Sequence, residues 1–233
     1  MSEFFRFPHT PHIAWLGAGK PRDDKVLSTV ERNELLDGDI LVEEKVDGAN
    51  VGFSVTAEGE TRAQNRGSYL DLDAPAGQWK PLKRWLALRK GALAEALFPD
   101  LILFGEWCYA VHSVRYTRLP DWFLAFDVYD RERGEFWPVE RRDGLVRTLD
   151  IAPVPRRGAG RFALDTLKRL LVASALSDGH PEGVYVRKES AGRLVTRAKL
   201  VRPEFAQAIG EHWSRRGIET NRLASQGEHP CPG

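Results

Sequence analysis

The stretch ILVEEKVDGANVGFSVT, residues 40–56, decides how this chain reads. ILVEEK (40–45) and VGFSVT (51–56) are rich in β-branched and aromatic residues and flank a Val-Asp-Gly-Ala turn, the pattern of two strands joined at a tight bend. TRAQN (61–65), after a Glu-Gly-Glu turn, extends the pattern into an antiparallel meander. Further out, Leu82, Trp85, Leu86, Leu93 and Leu97 recur at roughly helical spacing behind Pro81, which a first helical turn tolerates. DLILFGEW (100–107) and WFLAFDVYD (122–130) read as strands, and helices are expected over about Val139–Leu149 and Leu164–Leu176. GVYVRK (183–188) and RLVTRAKLV (193–201) form a last strand pair around Ser190-Ala191-Gly192, and Pro203 to about Trp213 reads as helical. Residues 1–38 read as a lead-in of irregular structure and short elements. Antiparallel sheets with flanking helices make the expected class α+β, in a single domain over 1–233 whose segment 202–233 is a helix and tail.

Composition narrows the function. The 233 residues are 42% hydrophobic and 10% aromatic, enough for a packed core and too apolar for a disordered chain. Lys plus Arg number 34 against 33 Asp plus Glu, so a polybasic binder is excluded while a local basic groove is not. Cys108 and Cys231 lack disulfide-framework or metal-ligand spacing; Cys108 lies in an apolar run and reads as a buried thiol. No stretch approaches a membrane span, and the opening lacks a signal-peptide pattern, so a reducing cytoplasm is the default.

Lys45 ends a strand and precedes a glycine turn, which suits a side chain facing a cleft. A lysine attacks only after losing its charge, which burial and nearby cations or a metal promote. Alone, K-x-D-G is a weak motif, as compatible with a surface lysine beside a turn. It is followed in order by Gln64-Asn65-Arg66-Gly67, Phe104-Gly105-Glu106, Phe126-Asp127-Val128-Tyr129, Glu182-Gly183-Val184-Tyr185-Val186-Arg187-Lys188 and Arg197-Ala198-Lys199.

With these motifs the sequence resembles, over about residues 39–201, the covalent nucleotidyltransferases: ATP-dependent DNA and RNA ligases and mRNA capping enzymes. The resemblance implies that Lys45 attacks the α-phosphorus of ATP to form a lysyl-AMP phosphoramidate. Such a displacement needs in-line positioning and neutralised phosphate charge. Lys199 and Arg197 would supply part of that charge, and Mg²⁺ or Mn²⁺, held through Glu182, the rest. Glu106 resembles the glutamate that holds the ribose hydroxyls, Phe126 the aromatic that stacks on adenine, and Arg66 an arginine that contacts phosphate or the sugar end. Glu44, Asp47, Gly48 and Asn50 complete the implied ATP-binding set.

Where DNA ligases and capping enzymes carry arginine five residues after the nucleophile, this chain has Asn50. With Glu44 before the lysine, that looks like the RNA ligase 2-like group, which joins 3′-OH and 5′-phosphate RNA ends. RNA repair is the implied role; the implied partners are RNA ends and, where ends need preparation, a kinase/phosphatase. Two departures stand out. The last motif commonly has two lysines, and the first is Arg197, whose guanidinium is no acid at neutral pH. Second, 34 residues follow Lys199, too few for the OB-fold domain of DNA ligases and capping enzymes, so none is expected. Residues 141–169 hold eight Arg and Lys against Asp143, Asp150 and Asp165, a candidate phosphate-tracking patch, although a solvated surface explains them as well. A Pro-interrupted His9 and His12 with no third ligand read as loop, without a metal role. Alternatives are a minimal ATP-dependent DNA ligase, a capping-type guanylyltransferase, and a degenerate domain that binds nucleotide or RNA ends; an intact Lys45 argues against the last.

Overall fold

The computed structural model describes residues 4–18, 21, 25–207 and 218–225. Along the chain run α1 (Thr29–Leu36), β1 (Ile40–Lys45), β2 (Ala49–Val55), β3 (Thr61–Gln64), α2 (Lys80–Ala87), α3 (Lys90–Leu97), β4 (Leu101–Trp107) and β5 (Phe123–Asp130). There follow β6 (Glu135–Phe136), α4 (Val139–Thr148), β7 (Ala152–Pro153), β8 (Arg156–Gly160), α5 (Leu164–Arg169), β9 (Gly183–Ser190), β10 (Arg193–Val201) and α6 (Pro203–Gln207). Ser28 starts α1 with a capping box: its hydroxyl accepts from the Glu31 amide while the Glu31 carboxylate accepts from the Ser28 amide.

The strands divide into two sheets, which the linear pattern does not reveal. One has the order β10-β9-β1-β8, the other β3-β2-β4-β5-β6 with β7 beside β5. β1 and β2 therefore do not pair, and the meander expected across residues 40–65 is interrupted. The Val46-Asp47-Gly48 segment carries the chain from one sheet to the other. β8, rich in Arg and Gly, has no strand-like pattern, yet it pairs with β1. The helical periodicity over 82–97 resolves into α2 and α3, broken at Leu88 and Arg89. α5 ends at Arg169, well short of Leu176, and the chain from 170 to 182 is irregular. Of the helix expected from Pro203 to Trp213, residues 208–213 lie outside the described residues, as does Cys231.

Alternation assigns the faces. Ile40, Val42, Val184, Val186, Ala198 and Leu200 turn one face of the first sheet to α1 and α5, around Leu35 and Leu167. Val51, Phe53, Leu103, Trp107 and Phe123 turn the outer face of the second sheet to α2, α3 and α4. The remaining faces oppose each other across a cleft. Glu43 and Lys45, Tyr185 and Arg187, and Arg197 and Lys199 alternate with the apolar residues of the first sheet, so they face the cleft. Asn50, Gln64, Phe104, Glu106 and Phe126 line it from the second.

At one end the cleft is closed by buried charges. Arg187 donates from Nη1 to Asp127 Oδ1 at 2.6 Å, and Arg197 donates to the other oxygen of the same carboxylate. Arg142, from α4, reaches Glu43 Oε1 at 2.6 Å and the Phe126 carbonyl at 2.7 Å. Arg142 is 1% exposed and Asp127 2%. A segment near the C-terminus covers the flank: Asn221 is buried, accepts from the Tyr116 amide at 2.8 Å and donates to the Cys108 carbonyl at 2.8 Å. Cys108 is a buried free thiol, as the sequence implied. Among the described residues no helix is long and apolar enough to cross a membrane.

Removing one member of a buried ionic cluster strands the others in a low-dielectric interior. Asp127→Asn is expected to lower the unfolding free energy in urea by about 3–5 kcal/mol. A loss below about 1 kcal/mol, the range of an exposed pair, would show that the cluster does not hold the sheets together.

Candidate active site

At the end of the cleft away from the ionic cluster, an open pocket of about 400 Å³ is lined by Lys45, Asp47, Gly48, Ala49, Asn50, Asn65, Arg66, Gln78, Trp79 and Glu106. Lys45, the last residue of β1, pairs in register with Gly183 of β9. Its ammonium donates to the Glu182 carboxylate, and both side chains are largely enclosed. The Tyr185 ring lies 6.0 Å from Lys45 Nζ. Burial works against the lysine's charge, but Glu182, Tyr185 and Glu106 outweigh it and hold Lys45 above the ordinary lysine range. Burial also lifts Glu182 above an ordinary carboxylate, partly offset by Lys45 and Lys199. Glu106 is pushed up to about 8, chiefly by burial and further by the charges of Glu182 and Asp47, with Lys45 and Arg66 opposing.

The crossover is held from several sides. The Gly48 amide donates to Glu106 Oε1 at 3.1 Å. A Cβ at Gly48 would stand 2.6 Å from the Trp107 carbonyl oxygen, so only glycine lets the turn lie against β4. Asp47 accepts from the amides of Ser113 and Val114, the latter at 2.8 Å, and its own amide donates to Tyr116 Oη at 2.7 Å. Asp47 thus lines the pocket while its carboxylate fixes the 113–116 loop. Asn50 sits opposite Glu106 in the ladder, and its Oδ1 is buried with no hydrogen-bond partner. A buried amide oxygen without a donor is costly, and a ligand's hydroxyl or a metal-bound water relieves it. Arg66 is presented by a turn in which Asn65 Oδ1 accepts from the Gly67 and Ser68 amides at 2.7 and 2.9 Å.

The structure therefore brings together Lys45, Asp47, Gly48, Asn50, Arg66, Glu106 and Glu182. Lys199 is half-buried on the same cleft face, opposite Tyr185 in the β9–β10 ladder. Three expected residues stand apart. Glu44 follows strand alternation onto the opposite face from Lys45, where it is fully buried and accepts from Arg157, the Ser174 hydroxyl and the Ala175 amide. Its side chain anchors the fold and does not line the cleft. Arg197 is committed to Asp127, with its guanidinium 4.4 Å above the Phe7 ring and 4.3 Å from that of Phe136. Of the two cations of the last motif, Lys199 is the one not bonded to Asp127. Phe126 is buried in an aromatic cluster, edge-on to Phe7 at 5.2 Å, and does not line the pocket described above. Of the eight cations in the 141–169 patch, Arg142 and Arg157 are spent within the fold on Glu43 and Glu44, while Arg156 and Lys168 pair at the surface with Asp143 and Asp165.

Two wall residues escape any motif. Gln78 and Trp79 belong to a short 3-10 turn, Gly77–Trp79, ahead of α2. The Gln78 carbonyl accepts from Trp107 Nε1 at 2.9 Å, and its side chain faces His112 Nε2 at 3.3 Å. The only sequence signal was a tryptophan before a Pro-containing helix start. For a divalent cation, no group of three or more His, Cys, Asp or Glu is gathered among the described residues. The donors present are Glu182 and Glu106, whose raised proton affinities a cation would relieve, and Asn50 Oδ1.

Comparison with known proteins places this geometry. The chain is similar in fold to a lysine-to-alanine variant of the Naegleria gruberi RNA ligase with ATP and Mn, at TM-score 0.58 and 18% identity over 75% of this chain and 53% of that one. The same ligase with PPi aligns at TM-score 0.55 and 18% identity over 86% of this chain and 59% of that one. An archaeal ATP-dependent RNA ligase aligns at TM-score 0.54 and 22% identity over 80% of this chain and 48% of that one. This chain thus spans about half the length of these proteins. No curated protein sequence matches it. The model of the family described as RNA ligase matches residues 38–201, a span that runs from the start of β1 to the end of β10 and holds Lys45, Glu106, Glu182 and Lys199; the chain belongs to the RNA ligase family.

Proposed function

We propose that the protein is an ATP-dependent RNA ligase that works through a lysyl-AMP intermediate and joins 3′-OH to 5′-phosphate RNA ends, with RNA repair as its role. The observation that carries the reading is the placement of Lys45. It is enclosed at a sheet-to-sheet crossover, bonded to a carboxylate of raised proton affinity, and opens onto a pocket walled by Glu106, Asn50 and Arg66. Neighbours in fold have been characterised with ATP and Mn and with PPi, which supports ATP as the nucleotide.

In the first step the neutral Nζ of Lys45 attacks the α-phosphorus. The N–P bond forms as the bond to the bridging oxygen breaks, and pyrophosphate leaves with the electron pair. At rest Lys45 is an ammonium bonded to the Glu182 carboxylate, and Nζ releases its proton to solvent once that carboxylate turns away. Lys199 stands on the same face to balance phosphate charge, Glu106 and Asn50 offer acceptors to the ribose hydroxyls, and Arg66 reaches in from the rim. A divalent cation at Glu182 would add Lewis-acid charge neutralisation and draw that carboxylate off Lys45. AMP then passes to the RNA 5′-phosphate, and the 3′-OH displaces it to form the phosphodiester.

Incubation with labelled ATP and Mg²⁺ or Mn²⁺ is expected to yield a covalent AMP adduct that maps to Lys45 by peptide mass spectrometry and is absent in Lys45→Ala. A label that survives the substitution would remove Lys45 from the role, and a label taken only from GTP would favour the capping-type alternative.

The RNA assignment is tested with matched 5′-phosphate nicks and breaks, some pre-adenylylated, ending in ribose or deoxyribose. A pocket built for a 2′-OH leaves polar groups unpaired when it is missing, so deoxyribose 3′ ends should seal roughly ten- to a hundredfold more slowly. Equal sealing of an all-DNA substrate would make this a compact DNA ligase.

Glu106 carries a pH signature. Its carboxyl holds a proton more tightly folded than unfolded, so its contribution to stability is complete below the ordinary carboxylate range and is lost as pH rises through about 8. The melting temperature of the ligand-free protein should fall over that window, and Glu106→Gln should flatten the fall. An unchanged profile in the variant would show that Glu106 is ionised in the resting site.

A further inference from the structure

Helix α2 leaves the pocket wall carrying positive charge that the fold does not use. Between Asp73 and Glu95 the chain has five cations, Lys80, Lys83, Arg84, Arg89 and Lys90, and no acidic residue. The helix is anchored by its apolar side: Leu82, Trp85 and Leu86 are buried in the core behind the second sheet. Lys80, Lys83, Arg84 and Ala87 share the opposite side at helical spacing, and all four are exposed. Of the cations that follow or flank this face, Arg89 is held by Asp121 at 3.0 Å and Lys90 by the Glu60 carboxylate. Lys83 stands 3.8 Å from Asp73, whose side chain is fully exposed, so that pairing is weak. Lys80 and Arg84 are bonded to no carboxylate among the described residues.

This helix begins at the pocket of Lys45. Trp79, immediately before Lys80, lines that pocket and packs on the core of the second sheet. The neighbouring Gln78 carbonyl accepts from the buried Trp107 indole at 2.9 Å, which fixes where the helix starts. Arg66, also exposed, lines the same pocket. A helix rises about 1.5 Å per residue, so Lys80 and Arg84 lie about 6 Å apart along the axis, close to the rise of two nucleotides on one strand. A nucleic-acid backbone presents a regular row of negative charges, which matches a row of exposed cations with no counter-charge in the fold. The Trp79 ring beside the first lysine adds a flat face on which a base can stack. We propose that the exposed face of α2, from Trp79 through Lys80, Lys83 and Arg84, is the surface along which the RNA backbone runs into the pocket. The assignment rests on the RNA ligase reading above and adds where the strand lies. Continuity with the pocket favours RNA over an acidic protein segment, which the cations alone would also attract.

The test measures binding of a nicked RNA duplex to the full-length protein by fluorescence anisotropy, without nucleotide, over roughly 50–200 mM salt. Each phosphate contact contributes about 0.7–0.9 to the slope of log affinity against log salt. Lys80→Ala/Arg84→Ala is expected to weaken binding and to flatten that slope by about 1.4–1.8, while Lys80→Arg/Arg84→Lys, which keeps both charges, stays near wild type. Arg156→Ala/Lys168→Ala removes two exposed charges elsewhere and serves as the reference, with its slope unchanged. Self-adenylylation of Lys80→Ala/Arg84→Ala, a step without RNA, should stay within about twofold of wild type. An unchanged slope in Lys80→Ala/Arg84→Ala would overturn the surface. Equal flattening in the reference variant would do so too, by marking a general effect of charge, and so would a parallel loss of self-adenylylation, by marking α2 as structural. Displacement of the RNA by a poly-glutamate peptide at equal charge concentration would assign the face to an acidic protein instead. A wild-type protein that takes no label from any nucleotide would overturn the ligase reading itself, an outcome distinct from a labelled wild type whose α2 variant binds RNA normally.

Discussion

The Asp127 carboxylate, buried between two arginines from the opposite sheet, is the contact on which the rest of the molecule depends. Among the described residues the two sheets share no backbone ladder, and apolar packing is non-directional, so burial alone would let them slide or rotate against each other. Arg187 on one Asp127 oxygen and Arg197 on the other fix β5 against β9 and β10 at hydrogen-bond precision. Arg142, with Glu43 on one side and the Phe126 carbonyl on the other, ties α4 into the same junction. Buried charges contribute little net stability over a well-packed apolar core, but a misplaced one is expensive, which penalises any other arrangement of the sheets. Lys45 and Glu182 ride on the first sheet and Glu106 on the second, so their separation is inherited from this junction.

Much of the site was legible because its residues lie on strands with clear local patterns. Lys45, Glu106, Glu182 and Lys199 were singled out by order and type, and the fold brings all four to the same cleft. Glu44 was misplaced although the information was available, since period-two alternation puts neighbours in a strand on opposite faces and Lys45 already claimed the cleft. Arg197 is a different case. Parity places it correctly on the cleft face beside Lys199, but its partner Asp127 is 70 residues away and belongs to the other sheet. The same limit hid the sheet partition: a turn with Gly48 is equally consistent with a hairpin or a crossover, and only the long-range pairing of β1 with β8 and β9 decides. The covering of Phe126 was hidden for the same reason: Phe7, which packs edge-on to it, lies in a lead-in of irregular structure and short elements, with no periodic pattern to place it.

The resting charges of the pocket also have a consequence for how such a site avoids acting on the wrong molecule. Lys45 is held in its ammonium form by its own carboxylate partner, which on the adenylyltransfer reading leaves it latent as a nucleophile while the pocket is empty. Two carboxyls of raised proton affinity surround one lysine, an arrangement that keeps negative charge low while the pocket is empty and becomes unfavourable once a polyphosphate adds its own. On the adenylyltransfer reading, nucleotide and cation arrive together because the site's charges do not balance with either alone. Glu182 cannot stay on Lys45 and also serve a cation, so the event that neutralises the phosphate is the one that frees the lysine. On that reading the buried ion pair is both a structural contact and a lock, released by a ligand whose charge pattern matches what the pocket lacks.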